Sequence, residues 1–144
     1  MQPILPLPQE TYPFLKKLSS LNLTPTALKL TSVSEGYGWT RKRTTRALTH
    51  YMMFLTLIQT YPNTRLVPTW DIDQVWQQHI LSNTYQYEKD CRMLFGRMIH
   101  HLSDSGGGDE KRWQSYVTGF ANTKILFKKH FGISLNQKQS CSII

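Results

Sequence analysis

The sequence has few cysteines, few acidic residues and no long apolar run. Two cysteines, Cys91 and Cys141, cannot build the disulfide framework of a small secreted protein. The most apolar stretch, residues 48–58, is interrupted by threonine and histidine and is too short to cross a bilayer. The first residues lack a basic segment and are rich in proline, unlike a signal peptide. We therefore expect a cytoplasmic protein without a transmembrane segment.

Standard catalytic signatures are also absent from the sequence. It contains no Gly-x-Ser-x-Gly motif, no phosphate-binding loop and no dinucleotide fingerprint. The glycine run 106–108 is not followed by Lys and Ser or Thr, so we interpret it as a linker. Cys91 falls on a predicted apolar helix stripe, where a buried thiol is unreactive. These observations favour a non-catalytic protein over an enzyme.

Basic residues are the most unbalanced feature of the composition. Seventeen Lys and Arg against nine Asp and Glu give a formal net charge of +8. Such a charge attracts phosphates, anionic lipid head groups and acidic protein surfaces. The basic residues concentrate in two clusters, Arg41, Lys42, Arg43 and Arg46, and Lys124, Lys128 and Lys129. Either cluster can also be an ordinary solvated helix face, so the sign of the partner is indicated but not its identity.

Apolar periodicity predicts an all-α fold. Residues 41–60 carry the clearest stripe, with apolar residues at helical spacing: Leu48, Tyr51, Met52, Leu55 and Ile58. Further helices are predicted near residues 9–20, after a Thr24 cap, from a Thr69 cap, from Asn83 or Thr84 to His100 and His101, and from Asp109 to a Gly132 cap. The last helix is expected to bury Trp113, Tyr116, Val117, Phe120, Phe127 and Phe131.

These elements predict a single-domain bundle of four to five helices over residues 9–133. Residues 1–8, which are rich in proline, are expected to be extended. Residues 134–144 show no apolar period and are expected to form a flexible, mobile C-terminal tail.

An ordered series of short motifs occupies the middle of the chain. The series comprises Asp71-Ile72-Asp73-Gln74-Val75-Trp76, His79-Ile80-Leu81, Asp90-Cys91, Phe95-Gly96-Arg97 and Ile99-His100-His101. It resembles the glycine-rich domain-containing protein-like family of plants, fungi and bacteria, over about residues 35–133. The resemblance implies a helical domain without an established activity. Family members commonly show Trp-His-x-His-Ile, whereas this chain reads Trp76-Gln77-Gln78-His79-Ile80, so one of the two imidazoles is missing.

Several of these residues are of types that bind metal ions. A zinc site would use His79, His100, His101 and Cys91, with Asp73 as a ligand or a supporting carboxylate. It would make the protein a metal-dependent enzyme centred on His79 and His100. The spacings match no standard zinc pattern. The other interpretation needs no cofactor: His79 is hydrogen-bonded within the core and Cys91 is an apolar side chain.

The last four residues, Cys141-Ser142-Ile143-Ile144, have the Cys-a-a-X form that prenyltransferases modify on the cysteine. One lipid chain binds membranes weakly, so the net positive charge would supply a second attraction to an anionic membrane surface. The sequence favours a protein-interaction or adaptor domain that binds a protein partner. Peripheral attachment to the cytosolic face of a membrane through Cys141 is a further hypothesis.

Nucleic-acid binding is the third function class that the sequence leaves open. Tyr37 and Trp39 directly precede the Arg41 cluster, and aromatic rings beside cations can stack on the bases of single strands. The same rings can equally belong to the core.

Overall fold

The computed structural model describes residues 3–101 and 110–136 of the chain. These residues form a 3-10 turn, Gln9–Thr11, and six α-helices without a β-strand: α1 Tyr12–Leu18, α2 Thr24–Thr31, α3 Arg41–Thr60, α4 Trp70–Ser82, α5 Thr84–Phe95 and α6 Glu110–Phe131. The all-α prediction is therefore confirmed. The described residues contain six helices, slightly more than the expected four to five.

Side-chain caps begin three of the helices. Thr40 accepts a hydrogen bond from the backbone N–H of Arg43, and Thr69 and Asn83 cap α4 and α5 in the same way. The predicted Thr69 and Asn83 caps are confirmed. The predicted Thr24 cap is wrong, because Thr24 is already the first helical residue and its N–H is bonded to the side chain of Asn22.

Glycines in the left-handed region end α5 and follow α6. Gly132 has a φ of 69° directly after Phe131, as expected for a helix C-terminus. Gly96 has a φ of 72° and ends α5 at Phe95. The prediction that this helix continues to His100 and His101 is therefore wrong, since the chain turns away from the helix five residues earlier than expected.

The interior is built around α3. Tyr51, Phe54 and Leu57 of this helix are fully buried, and they pack among α2, α4 and α6. α4 contributes Ile72 and Val75, both also fully buried. The core is completed by smaller contributions from the other elements, including Leu30, Phe127 and Leu135.

α6 joins the domain only from its middle onward. Phe120 and Phe127 are buried as predicted, but Trp113 and Val117 are 49% and 44% exposed, so their predicted burial is wrong. The close contact begins at Gly119, whose carbonyl accepts a hydrogen bond from the backbone of Val67. A side chain at residue 119 would stand 2.7 Å from Val67, so the absence of a Cβ there allows this approach. The first turns of α6 thus project beyond the core.

The predicted C-terminal tail is described only at residues 134–136, of which Leu135 is buried. Residues 1–2, 102–109 and 137–144 lie outside the described residues, and so do the predicted Asp109 helix start and Cys141. Among residues 3–101 and 110–136, no helix is both long enough and apolar enough to traverse a bilayer.

Candidate functional site

A chain of hydrogen-bonded polar side chains lies in the interior. It joins Tyr51 of α3, His79 of α4 and Asp90 of α5, which expose 0%, 6% and 7% of their surfaces. The Tyr51 hydroxyl lies 2.7 Å from Nδ1 of His79, and Nε2 of His79 lies 2.7 Å from Oδ2 of Asp90. Gln86 donates to Oδ1 of Asp90 at 2.9 Å. This network therefore links three helices through side chains that solvent scarcely reaches.

The directions of the pKa shifts place the protons in this network. Burial lowers the pKa of His79, although its hydrogen bond to Asp90 acts in the opposite direction. Burial also raises the pKa of Tyr51 well above its usual value. A neutral imidazole that donates from Nε2 to Asp90 would accept from the Tyr51 hydroxyl at Nδ1. Both ring nitrogens of His79 are thus engaged within the protein.

The order carboxylate, imidazole, hydroxyl is also the order of a nucleophilic triad. Such a triad requires a nucleophile that a substrate can approach, and Tyr51 has no exposed surface. The geometry fits the positioning of helices better than covalent catalysis.

A second buried polar contact lies beside this network. The indole N–H of Trp76 donates to the hydroxyl of Tyr87 at 2.9 Å, and that hydroxyl donates to the carbonyl of Ile99 at 2.6 Å. The rings of Tyr87 and His79 meet edge to face at 4.9 Å between centroids. Cys91 follows Tyr87 by one helical turn and is a free, buried cysteine with 3% of its surface exposed. The hydroxyl of Tyr87 therefore ties the segment after α5 to α4.

The structure brings two of the five predicted metal ligands into direct contact. Nε2 of His101 lies within hydrogen-bonding distance of Oδ1 of Asp73. His79 pairs with Asp90 instead, and His100 is exposed. Among the described residues, no three His, Cys, Asp or Glu side chains gather into a group that could hold a metal ion. The zinc hypothesis stays a prediction.

Gln77 contacts the same carboxylate as His101. Its Nε2 donates to Oδ2 of Asp73 at 2.7 Å, while Oδ1 faces His101. The His101 ring also packs edge to face on Trp76, with 4.7 Å between centroids. Asp73, His101 and Gln77 therefore form a half-buried polar cluster on the outer side of α4.

The first basic cluster is divided between a structural ion pair and solvent. Arg43 makes a two-pronged salt bridge to Asp71, with N to O distances of 2.9 and 3.2 Å, and its guanidinium lies 4.1 Å from the Trp39 ring centroid. The other three cations, Arg41, Lys42 and Arg46, are exposed. Of the aromatic pair predicted to stack on bases, Trp39 is buried, whereas Tyr37 is 39% exposed and bonds Gln74 and Gln78 through its hydroxyl. Nucleic-acid binding stays a prediction.

The second basic cluster lines a cleft. The C-terminal half of α6, the N-terminal segment and the residues after α6 enclose a space of about 660 Å³, which we call the basic cleft. Its lining consists of three cations, one hydroxyl and four apolar residues: Lys124, Lys128, Lys129, Ser134, Pro3, Leu5, Ile125 and Leu135. Among the described residues, no carboxylate is part of this lining, so these residues combine positive charge with apolar surface.

Sequence reasoning missed two parts of these sites. It gave His79 as either a metal ligand or a core histidine and did not identify its partners Tyr51 and Asp90. The sequence did contain an indication that Asp90 is a partner of His79. Asp90 lies on α5, which a single capping residue, Asn83, separates from α4. It also identified Lys128 and Lys129 but not the cleft, since Leu5 joins that cleft from the opposite end of the sequence.

The segment that carries the buried network has recognisable relatives. Residues 30–90 match the profile of a family described as glycine-rich domain-containing protein-like. That segment of the chain is therefore similar to this family. The predicted family resemblance is confirmed for residues 30–90.

Two proteins of this family illustrate the relationship. The chain is 30% identical over 90 residues to glycine-rich domain-containing protein 2 of Arabidopsis thaliana and 31% identical over 90 residues to glycine-rich domain-containing protein 1 of the same plant. Each match covers 60% of this chain but only 11% of the relative, so the similarity concerns one small part of those proteins. No solved structure matches the chain.

The family segment and the basic cleft occupy different parts of the sequence. Tyr51, His79 and Asp90 all lie within residues 30–90, whereas every residue of the cleft lies outside that range. The network therefore lies within the matched segment. The cleft is formed by the segments that flank it.

Proposed function

We propose that this chain is a non-catalytic protein-interaction domain that binds an acidic partner protein through the basic cleft. The observation that carries the proposal is the lining of the cleft, in which Lys124, Lys128 and Lys129 stand beside apolar residues and no carboxylate of the described part of the chain is present. A surface of this kind attracts acidic groups and gains further free energy by covering apolar area.

The buried network supports the non-catalytic part of the proposal. His79 uses both ring nitrogens within the protein, and Tyr51 is inaccessible. A role in holding α3, α4 and α5 together accounts for all of these contacts without a substrate. The family scaffold then serves as a rigid platform for the cleft.

The proposal is tested by capture of partners from native cell extract. Two variants carry the same change in net charge: Lys124→Glu with Lys128→Glu in the cleft, and Lys16→Glu with Lys17→Glu on α1, where both lysines are exposed. We expect proteins captured by the wild type to be lost from the first variant and kept by the second. Equal capture by all three chains would contradict the proposal.

We further propose that Cys141 is prenylated and attaches the domain to the cytosolic face of an anionic membrane. Support comes from position, because Leu135 lines the basic cleft and Cys141 follows in the same C-terminal segment. One prenyl chain binds membranes only marginally, and nearby lysines contribute about 1 kcal/mol each at an anionic surface. The two signals would act together.

Mass spectrometry after expression in eukaryotic cells tests this second proposal. The expected result is a geranylgeranyl mass on Cys141 that disappears in Cys141→Ser, together with loss of the protein from the membrane fraction. Ser140→Ala serves as the matched control, since it changes a neighbouring side chain but keeps the cysteine. An unmodified cysteine in the wild type would reject the proposal.

A further inference from the structure

The walls of the basic cleft are fixed by the fold. The backbone N–H of Leu5 donates to the carbonyl of Lys129 at 2.9 Å, and the carbonyl of Leu5 lies 2.9 Å from Nδ1 of His130. Nε2 of His130 lies 2.6 Å from the Tyr61 hydroxyl, which anchors the imidazole to the end of α3. The N-terminal segment is therefore held against α6 by hydrogen bonds of both the backbone N–H and the backbone carbonyl of Leu5.

The opposite wall is fixed in a similar way. The backbone N–H of Ile133 donates to the carbonyl of Phe127, and Nζ of Lys128 donates to Oγ of Ser134, both at 3.3 Å. Leu135 then turns into the core with only 6% of its surface exposed. The cleft is thus preformed, so binding of a ligand would cost little conformational entropy in the protein.

The apolar part of the cleft is uncovered on the ligand side. Ile125 is 62% exposed and Leu5 is 48% exposed, and both line the cleft together with the buried Leu135. An apolar side chain placed there would cover surface that now faces water. The cleft volume of about 660 Å³ lies in the range of sites that hold ligands of several side chains.

The charges of the cleft are not neutralised by any carboxylate of the described residues. Lys124 and Lys128 are one turn apart on α6, and like charges at that spacing repel. Within residues 3–101 and 110–136, no carboxylate forms a salt bridge with Lys124, Lys128 or Lys129. A ligand with two carboxylates at matching spacing would relieve this repulsion and pair with both ammonium groups.

We infer that the cleft binds a short extended acidic segment of a partner protein in which carboxylate and aliphatic side chains alternate. Side chains at i and i+2 of a strand are about 6.6 Å apart, close to the separation of residues one helical turn apart on α6. Carboxylates on one face would meet Lys124 and Lys128, and aliphatic groups on the other would meet Leu5 and Ile125. This inference rests on the proposed function and specifies the chemistry of the partner.

The same observations disfavour two other anionic partners. Within the described parts of the chain, no aromatic ring lines the cleft, and single-stranded nucleic-acid sites typically use such rings for stacking. The apolar residues line a concave space, whereas insertion into a membrane surface requires apolar groups that protrude. Binding of only a nucleic acid or only a membrane would therefore contradict the inference.

Fluorescence anisotropy with labelled probes tests the inference on the full chain. The main probe is a peptide of about nine residues in which Glu and Leu alternate, long enough to span roughly 30 Å. The comparison probes are a Glu and Ser peptide of equal charge, a single-stranded oligonucleotide and vesicles that contain phosphatidylserine. Four variants are measured: the cleft and α1 lysine pairs described above, Ile125→Gln in the cleft, and Leu81→Gln, which alters an equally exposed leucine on α4.

We expect the Glu and Leu peptide to bind more tightly than the Glu and Ser peptide, with an affinity that falls as salt increases. The cleft lysine pair and Ile125→Gln should each weaken its binding by about tenfold or more, and the α1 pair and Leu81→Gln by less than about twofold. Thermal melting confirms that each variant is folded.

Three results would overturn the inference: equal loss in the cleft and α1 variants, equal binding of the two peptides, or binding of only the oligonucleotide or the vesicles. If the peptide fails while partner capture from extract still depends on Lys124 and Lys128, the inference fails and the proposed function stands. If both fail, the proposed function falls as well.

Discussion

The Nε2 atom of His79 lies 2.7 Å from Oδ2 of Asp90, and both residues are more than nine-tenths buried. A buried carboxylate is costly unless polar partners surround it, and here His79 and Gln86 each contact one of its oxygens. Tyr51 completes the arrangement on the far side of the imidazole. One series of hydrogen bonds thus fixes the positions of α3, α4 and α5 relative to one another.

Removal of the carboxylate should destabilise the domain. Asp90→Ala leaves a buried N–H of His79 without an acceptor, so we expect the free energy of unfolding to fall by about 1–3 kcal/mol. Chemical denaturation measures this change. Glu88→Ala is the matched control, because Glu88 pairs with Arg92 on the surface of the same helix and should cost less than about 0.5 kcal/mol. Similar losses in both variants would show that the buried contact is not special.

The stability of the domain should fall as the pH decreases below neutrality. Burial lowers the pKa of His79 in the folded state from its ordinary value of 6.5, so the unfolded chain binds the proton first. The contribution of His79 is therefore complete above pH 6.5 and is lost as the pH falls from 6.5 towards the lower folded pKa. Denaturation between about pH 7 and pH 5 should show this decline.

A comparison of two variants assigns the pH effect. The pKa of His50 is also lowered, by burial and by Arg46, so this residue contributes in the same direction. We expect His79→Gln to flatten the dependence of the unfolding free energy on pH, and His50→Asn to flatten it as well. A pH dependence unchanged by His79→Gln would remove the buried network as its source.

Local signals in the sequence were sufficient for the helices. The apolar stripe of α3 and the Thr69 and Asn83 caps depend on residues three or four positions apart, and these predictions are confirmed. The prediction past Phe95 failed because Met98 continued the apolar period, while Gly96 was not recognised as a helix end. Periodicity alone therefore could not distinguish a continuing helix from an apolar loop.

The sites depend on contacts between residues that are far apart in the sequence. Asp90 and Tyr51 meet His79 across 11 and 28 positions, and Leu5 meets His130 across 125. The sequence indicated that His79 was either a core residue or a ligand, and only the packing of α3 and α5 identifies its partners. The position of α6, set by the contact of Gly119 with Val67, likewise decides that Trp113 is exposed.

We expect Arg43 to contribute to the stability of the domain rather than to partner binding. Arg43→Lys keeps the charge but loses the two-pronged contact with Asp71 and the planar contact with Trp39. Because the Arg43 side chain is 39% exposed, the expected loss is modest, about 0.5–1 kcal/mol in chemical denaturation. Arg46→Lys, on the exposed face of the same helix, is the control and should leave stability unchanged. An equal effect of both substitutions would argue against a structural role for this pair.

Gln77→His should complete a metal site for which the wild-type chain already has two ligands in contact. Gln77 and Asp73 are one turn apart on α4, and the Asp73 carboxylate already contacts both Gln77 and His101. An imidazole at position 77 would supply a third ligand, in the position where the family pattern Trp-His-x-His-Ile has its first histidine. Two imidazoles and a carboxylate are ligands that suit zinc.

Zinc should therefore raise the melting temperature of Gln77→His by several degrees, since a ligand that binds only the folded state stabilises it. Elemental analysis should find about one zinc ion per chain in this variant. Adding His101→Ala to the same chain removes one of the three ligands and should abolish both effects. If Gln77→His binds zinc equally well with and without His101, the ion is held elsewhere, and the cluster around Asp73 is only a structural contact between α4 and the segment that follows α5.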